Sequence, residues 1–218
     1  MANERSFSAA KRIVLIQIAL PKTDQRIADI LLRVRGAFIE KGFDGASMQD
    51  LARAAGMSVG NFYRYFPSKS AIVERLISCD LDEMQAEFAE VINSDQPMQA
   101  LRVSIRHHVH QHQTNKDGQL WAEINAVATR KPEIGLVCHH MEKTIIGHLT
   151  TVFAAETGLS VDQAEQRFST QAAFIVMLVQ SAAMCAPQAA VNPDELTNLI
   201  LQTIDKTLDD VASACVKG

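Results

Sequence analysis

The densest set of side chains able to do recognition chemistry lies in residues 47–69, SMQDLARAAGMSVGNFYRYFPSK. Ser47, Ser58, Tyr63 and Tyr65 bring hydroxyls, Gln49 and Asn61 bring amides, and Arg64 and Lys69 bring full positive charge. That mixture suits a polyanion with readable edges. A phosphate oxygen takes a hydroxyl, an ammonium or a helix N-terminus, whereas a base edge takes a bidentate amide. Ser47 and Lys69 suit phosphates, and Tyr63 and Tyr65 diverge so as to bracket a sugar-phosphate backbone. Asn61 offers donor and acceptor to phosphate or base, and Arg64 reaches a phosphate or a guanine. Gln49 can pair with adenine, Val59 can touch a thymine methyl, and Gly60 leaves room for close backbone approach. Ser47 and Ser58 would equally cap helices in a protein that never met DNA, and Phe62 and Phe66 are read as core.

These residues need a frame, and helical periodicity supplies it. Ile27, Ile30, Leu31, Val34 and Phe38 make one apolar face of a first helix over 23–41, with Asp24 in its first turn and Gly42 ending it. Phe43 then folds back towards the core. Ser47 and Asp50 predict a capping-box start to a second helix with Leu51, Ala52 and Ala55 inside. Gly56 supplies a turn, Ser58 caps a short third helix to about residue 65, and Pro67 and Ser68 precede a long fourth. In that fourth helix Val73, Ile77, Leu81, Met84, Phe88 and Val91 keep one stripe. Two short helices around a glycine turn are the parts of a helix-turn-helix.

Loop signals at 93–97, 115–118, 130–132, 157–160 and 187–193 separate further helices at 98–113, 119–130, 132–155, 161–186 and 194–214. Residues 171–186, QAAFIVMLVQSAAMCA, are apolar nearly all round, which requires cover on both sides. Leu196, Leu199, Ile200, Ile204 and Leu208 give the last helix an apolar stripe. Two antiparallel helices from each of two subunits would form a four-helix interface, so a homodimer is expected.

Histidines cluster at His107, His108, His110 and His112, and again at His139, His140 and His148. The pair His108 and His112, four apart, permits a metal site on a helix. Arg106, Gln111 and Gln113 flank them and no HExxH or Cys/His framework appears, so a solvated face and no metal is the expectation. His148 lies on the stripe Ile134, Val137, Met141, Ile145 and Val152 and is read as a core histidine, with a polar pocket group as second choice. Ligand-pocket candidates are Trp121, Asn125, Met141, His148, Phe174 and Met177, each also compatible with plain core packing. No cofactor is expected. Without a nucleophile elbow, P-loop, Rossmann glycines or paired carboxylates, neither is catalysis.

The 218 residues, 47% hydrophobic and 21% charged, fit a soluble globular chain with a sizeable core. The net charge of −4 argues against DNA when taken alone, but its distribution does not. Residues 22–75 hold nine Lys/Arg against six Asp/Glu, and residues 76–218 hold nine against 18, a basic head on an acidic body. Cys79, Cys138, Cys185 and Cys215 form no CxxC and read as free thiols in a reducing cytosol. The apolar run 13–20 is too short to span a membrane and lacks a cleavage site, so residues 1–22 are read as an N-terminal arm.

From 24 to 77, roughly a quarter of the chain, the sequence resembles the N-terminal DNA-binding domain of the tetracycline-repressor (TetR) family. The run LARAAGMSVGNFYRYFPSKSAIVERLI carries the resemblance, most specifically from Gly60 to Lys69. Residues 121–134 are similar to ligand-domain helices of some members. The resemblance implies that Ser47, Gln49, Ser58, Val59, Gly60, Asn61, Tyr63, Arg64, Tyr65 and Lys69 face DNA. It implies an all-α fold with a three-helix head at 23–70 and a ligand-binding, dimerising body at 71–218. The expected function is a cytoplasmic one-component regulator, a repressor, that binds a palindromic operator in double-stranded DNA as a homodimer. A small, largely apolar effector would release it, and no membrane is involved. The alternative is a helical small-molecule- or metal-binding protein whose head is not a DNA clamp.

Overall fold

The computed structural model describes residues 22–114, 117–184 and 192–214. The expected arm up to residue 21, Cys185, Cys215 and the side chain of His112 lie outside the described residues. Among the described residues the chain forms α-helices and no strands, the all-α architecture expected. It divides into two compact units between Ile72 and Val73.

In the first unit, α1 spans Lys22–Gly45, α2 Met48–Ala54 and α3 Val59–Tyr65. The apolar face of α1 enters the core through Ile30, Leu31, Val34 and Phe38, all nearly solvent-free. Gly42 breaks α1 with φ 71° and ψ 165°, a backbone that L side chains resist. One further turn continues to Gly45, because the Ala46 N–H donates to the Gly42 carbonyl at 3.1 Å. The sequence reading ended the helix at 41; it did not foresee this turn beyond the glycine. The kink returns Phe43 to the core, stacked on Phe38 at 5.6 Å between ring centroids. Leu51 and Ala52 of α2, Phe62 of α3 and the following Phe66 complete the core. Phe62 and Phe66 meet at 5.3 Å, in the core role expected of them.

The helix α4, Lys69–Ile92, opens with the Ser68 hydroxyl accepting the Ala71 N–H at 3.1 Å. Along its stripe Val73, Ile77 and Val91 are buried, and Leu81, Met84 and Phe88 are half-buried.

The second unit adds α5 Pro97–Thr114, α6 Asp117–Ala128, α7 Pro132–Thr157, α8 Val161–Met184 and α9 Pro193–Ser213. The pair α7 and α8 makes the most extensive packing, and α5, α6 and α9 close around it. Leu101, Ile105, Leu149, Val152, Phe153, Phe168, Ala172, Ile175, Ile204 and Leu208 form one core cluster. Phe153 meets Phe168 edge to face at 6.2 Å. Helix α6 stops at Ala128, two residues before the sequence reading placed its end. The Arg130 and Lys131 N–H groups both turn back to the Val127 carbonyl at 2.9 Å, and Pro132 holds Lys131 extended. Gly158, at φ 71°, ends α7. Asn192 caps α9 by accepting the N–H groups of Asp194 and Glu195. Arg102 reaches Asp205 at 3.1 Å and Asp209 at 2.5 Å, and Arg106 also pairs with Asp205, fastening α5 to α9.

Of the apolar stripe of the last helix, Leu199 is 60% exposed while Ile200, Ile204 and Leu208 face in. Phe174 and Met177 likewise turn outward on α8, at 41% and 59%, because Ala172, Ile175 and Val176 take the core side. Among the described residues, no helix is long and apolar enough to cross a membrane.

Candidate nucleic-acid interface

The expected contact residues sit on a short, stiff scaffold. Ser47 has extended backbone angles and caps α2 in a closed capping box. Its hydroxyl accepts the Asp50 N–H at 3.1 Å and donates to Asp50 Oδ2 at 2.5 Å, while the same oxygen accepts the Ser47 N–H at 3.1 Å. Lys41 Nζ donates to Asp50 Oδ1 at 2.7 Å, and Arg53 approaches it at 3.4 Å. The Lys41 bond, followed by the Ser47 hydroxyl, holds the Asp50 carboxyl well below the usual carboxylate range. The single hydroxyl proton of Ser47 is therefore committed to Asp50. Of the two roles expected of Ser47, cap and phosphate ligand, the geometry forms the cap.

The turn to α3 passes through Gly56, at φ 69°. A Cβ there would also stand 3.6 Å from the Arg33 guanidinium. Ser58 caps α3, accepting the Asn61 N–H at 3.4 Å. With Phe62 pointing inward, Val59, Gly60, Tyr63 and Arg64 are left exposed, and Asn61 is half-buried. Gln49 on α2 is also exposed. A Cβ added at Gly60 would meet nothing within 4 Å, so the chain's own packing does not require glycine there. Tyr65 is half-buried beside Phe66, with the Arg26 guanidinium 6.0 Å from its ring centroid. The two tyrosines thus differ: Tyr63 is 47% exposed, whereas Tyr65 leans on its own head.

The Lys69 ammonium donates to the backbone carbonyls of Phe43 at 2.6 Å and Asp44 at 3.2 Å. The residue expected to hold a phosphate thus also has partners within the head. Lys41, Arg26 and Arg53 were missed as parts of this site. Arg53 was legible, three residues after Asp50 on the outer side of α2, with its side chain 78% exposed. The pair Lys41–Asp50 was not, because nine residues and the Gly42 kink separate its members, and no helical spacing rule covers that.

The pocket candidates differ in exposure. Met141 is buried, Trp121 and Asn125 are half-buried, and Asn125 Nδ2 donates to the Trp121 carbonyl at 2.9 Å. His148 is half-buried and stacks on Phe88 at 4.9 Å, and burial pushes its pKa down. Phe174 and Met177 are 41% and 59% exposed. A cleft of about 400 Å³ is lined by Asp95, Gln96, Pro97, Met98, Gln99, Arg102, Glu156 and Ala212, and includes none of the six.

His107 and His110 are exposed, and His107 Nε2 pairs with the Gln111 amide at 2.7 Å. Among the described residues no three His, Cys, Asp or Glu side chains are grouped as a metal ion requires. Burial raises the pKa of the Cys79 and Cys138 thiols, which favours the protonated form.

The family described as bacterial regulatory proteins, tetR family, matches residues 31–76, from within α1 into the second turn of α4. The transcriptional regulator UidR of Escherichia coli K12 is 29% identical over 120 residues, which make up 53% of this chain and 58% of UidR. The chain thus matches less than two thirds of that relative's length. Among solved structures, Salmonella enterica GusR superposes with a TM-score of 0.65 at 22% identity, covering 87% of this chain and 98% of GusR. AibR, solved in complex with isovaleryl coenzyme A and operator DNA, superposes with a TM-score of 0.59 at 16% identity, covering 82% and 97%. At these identities the two structures share the fold: a helix-turn-helix head on a helical body.

Proposed function

Because this chain belongs to the TetR family of bacterial regulatory proteins, we propose that it is a one-component transcriptional repressor released from a palindromic operator by a small ligand. One observation carries the reading. A capped helix, α3, turns Phe62 inward and leaves Val59, Gly60, Tyr63 and Arg64 on an open face within the family's matched segment. On this reading residues 23–70 bind DNA and 71–218 bind the ligand and a second copy, a division that the boundary after Ile72 supports.

Gln49, Val59, Gly60 and Asn61 read bases, and Ser47, Ser58, Tyr63, Arg64, Tyr65 and Lys69 approach the backbone. A two-fold operator asks for a two-fold protein, with recognition helices ~34–36 Å apart. The outward Phe174, Met177 and Leu199 on α8 and α9 support dimerisation through that face, where a second copy would cover them. The effector is small and largely apolar, and it acts in the cytoplasm by binding one head spacing better than another. AibR, of the same fold, was solved with both an acyl thioester and operator DNA, which supports ligand and operator acting on one scaffold.

Fluorescence anisotropy against DNA immediately upstream of the protein's own gene tests the reading, over a salt series with non-specific DNA as control. Tight, salt-steep binding that discriminates against the control is expected, and Tyr63→Ala should weaken it about tenfold. Equal, weak binding to both DNAs across the upstream region would sink the proposal.

A further inference from the structure

The Ser47 hydroxyl has one proton, and it is directed at Asp50 Oδ2 across 2.5 Å. On the DNA-binding reading the same hydroxyl serves a phosphate, so that proton must be released when a duplex arrives. The geometry around Asp50 shows what the release requires. Oδ2 also accepts the Ser47 N–H at 3.1 Å, and Ser47 Oγ accepts the Asp50 N–H at 3.1 Å. Those two bonds form the capping box, and neither uses the hydroxyl proton. Turning the O–H away from Asp50 therefore leaves the start of α2 intact and moves no heavy atom. What it removes is one of the bonds that hold a carboxylate charge.

That charge has other partners. Lys41 Nζ donates to Oδ1 at 2.7 Å, and Arg53 stands 3.4 Å from the same oxygen with its side chain 78% exposed, so Lys41 is the closer cation. Lys41 is the last residue before the kink at Gly42, and the turn after the kink leads to Ser47. The end of α1 thus delivers an ammonium to the third residue of α2. Without that ammonium the Asp50 carboxylate would retain the Ser47 proton and stand as a like charge beside a bound phosphate.

We propose that Lys41 is a positioning residue of the DNA interface, holding Asp50 so that the Ser47 hydroxyl is free to turn from the carboxylate to a phosphate. The inference rests on the DNA-binding reading above, in which Ser47 approaches the backbone. Because every duplex offers the same phosphates, Lys41 acts on operator and non-specific DNA alike.

The test is a double-variant cycle on the full chain, read by anisotropy against the upstream DNA and a non-specific duplex, with stoichiometric titration fixing the active fraction. Lys41→Met should weaken binding to both duplexes about tenfold, and Lys41→Arg, whose guanidinium can donate to the same carboxylate, should recover most of the loss. In an Asp50→Asn background no charge needs holding, and Lys41→Met should cost less than about twofold. An equal loss in both backgrounds overturns the proposal in favour of a direct contact between Lys41 and phosphate. Ser47→Gly, a change that a helix cap tolerates, should weaken the wild type about threefold and leave Lys41→Met unchanged, because there the proton no longer reaches the duplex. Additive losses would give Lys41 a purely structural role and overturn the proposal, as would unchanged affinity of Lys41→Met. A wild type that binds neither DNA removes the functional reading and the proposal together. In every other outcome the reading stands and the cycle decides the role of Lys41 alone. If Lys41→Met fails to fold, Lys41→Gln carries the same comparisons.

Discussion

The two units are held by different kinds of contact. In the first, a closed capping box, a Lys41–Asp50 pair and a lysine on two carbonyls fix short helices around a small aromatic core. In the second, long helices bury a broad apolar cluster and still leave Leu136, Phe174, Met177 and Leu199 substantially exposed. Directional bonds fix angles, as a surface that must match a groove requires. Apolar area is non-directional and fixes only proximity, so surplus area remains available for another subunit. The head is specified where the body is merely driven.

The contrast predicts different ways of failing. The largest effect should come from Phe153→Ala, which empties the centre of the body cluster and should cost ~3–5 kcal/mol. Chemical denaturation followed at Trp121, the chain's one tryptophan, reads it, and a loss under ~1 kcal/mol would contradict the packing account. If the proposed dimer forms through this face, the double variant Phe174→Glu/Leu199→Glu should instead leave each chain folded and shift it to monomer in sedimentation equilibrium, since both sites are already exposed.

Acid should separate the units. Folding depresses the pKa of His148, so the stability tied to its neutral form is full above the unfolded value of ~6.5 and falls as pH drops below it. Folding also depresses the pKa of Asp50, so its contribution is full above ~3.9 and falls only below that. Between pH 7 and 5 the body should therefore weaken while the head does not. Hydrogen exchange of each unit across that range checks this, with His148→Phe expected to flatten the body's response and Asp50→Asn to flatten the head's response below pH 4. The smallest effect on stability is expected of Gly60→Ala, a gain of up to ~1 kcal/mol in the melt, accompanied by weaker operator binding.

What was legible in the sequence was local. The cap at Ser47, the turn at Gly56, the cap at Ser58 and the inward Phe62 and Phe66 each follow from signals within four residues. The helices of the body were legible from period and breaker residues, with end errors of a few residues wherever a proline or glycine reshaped the last turn. Contacts between residues far apart in sequence were not. Lys69 and Phe43 are 26 residues apart, and nothing in either neighbourhood announces the other. Apolar periodicity also does not say which apolar residue faces in when a helix has too many. Periodicity therefore does not single out Leu199, Phe174 and Met177 as the apolar residues that stay exposed. Among the contact residues, type suggested the capacity to bind phosphate, but only geometry showed that the charge of Lys69 and the hydroxyl proton of Ser47 were already engaged.

Gly60 lies in open space, and no neighbour in the chain constrains what stands there. Most positions of a folded head inherit their identity from the fold. On the proposed DNA-binding reading, what stands here answers to the target and not to the fold. Over evolutionary time such a site is then cheap to vary: a duplicated copy could acquire a new target by changing residue 60 while its helices, caps and core stay as they are.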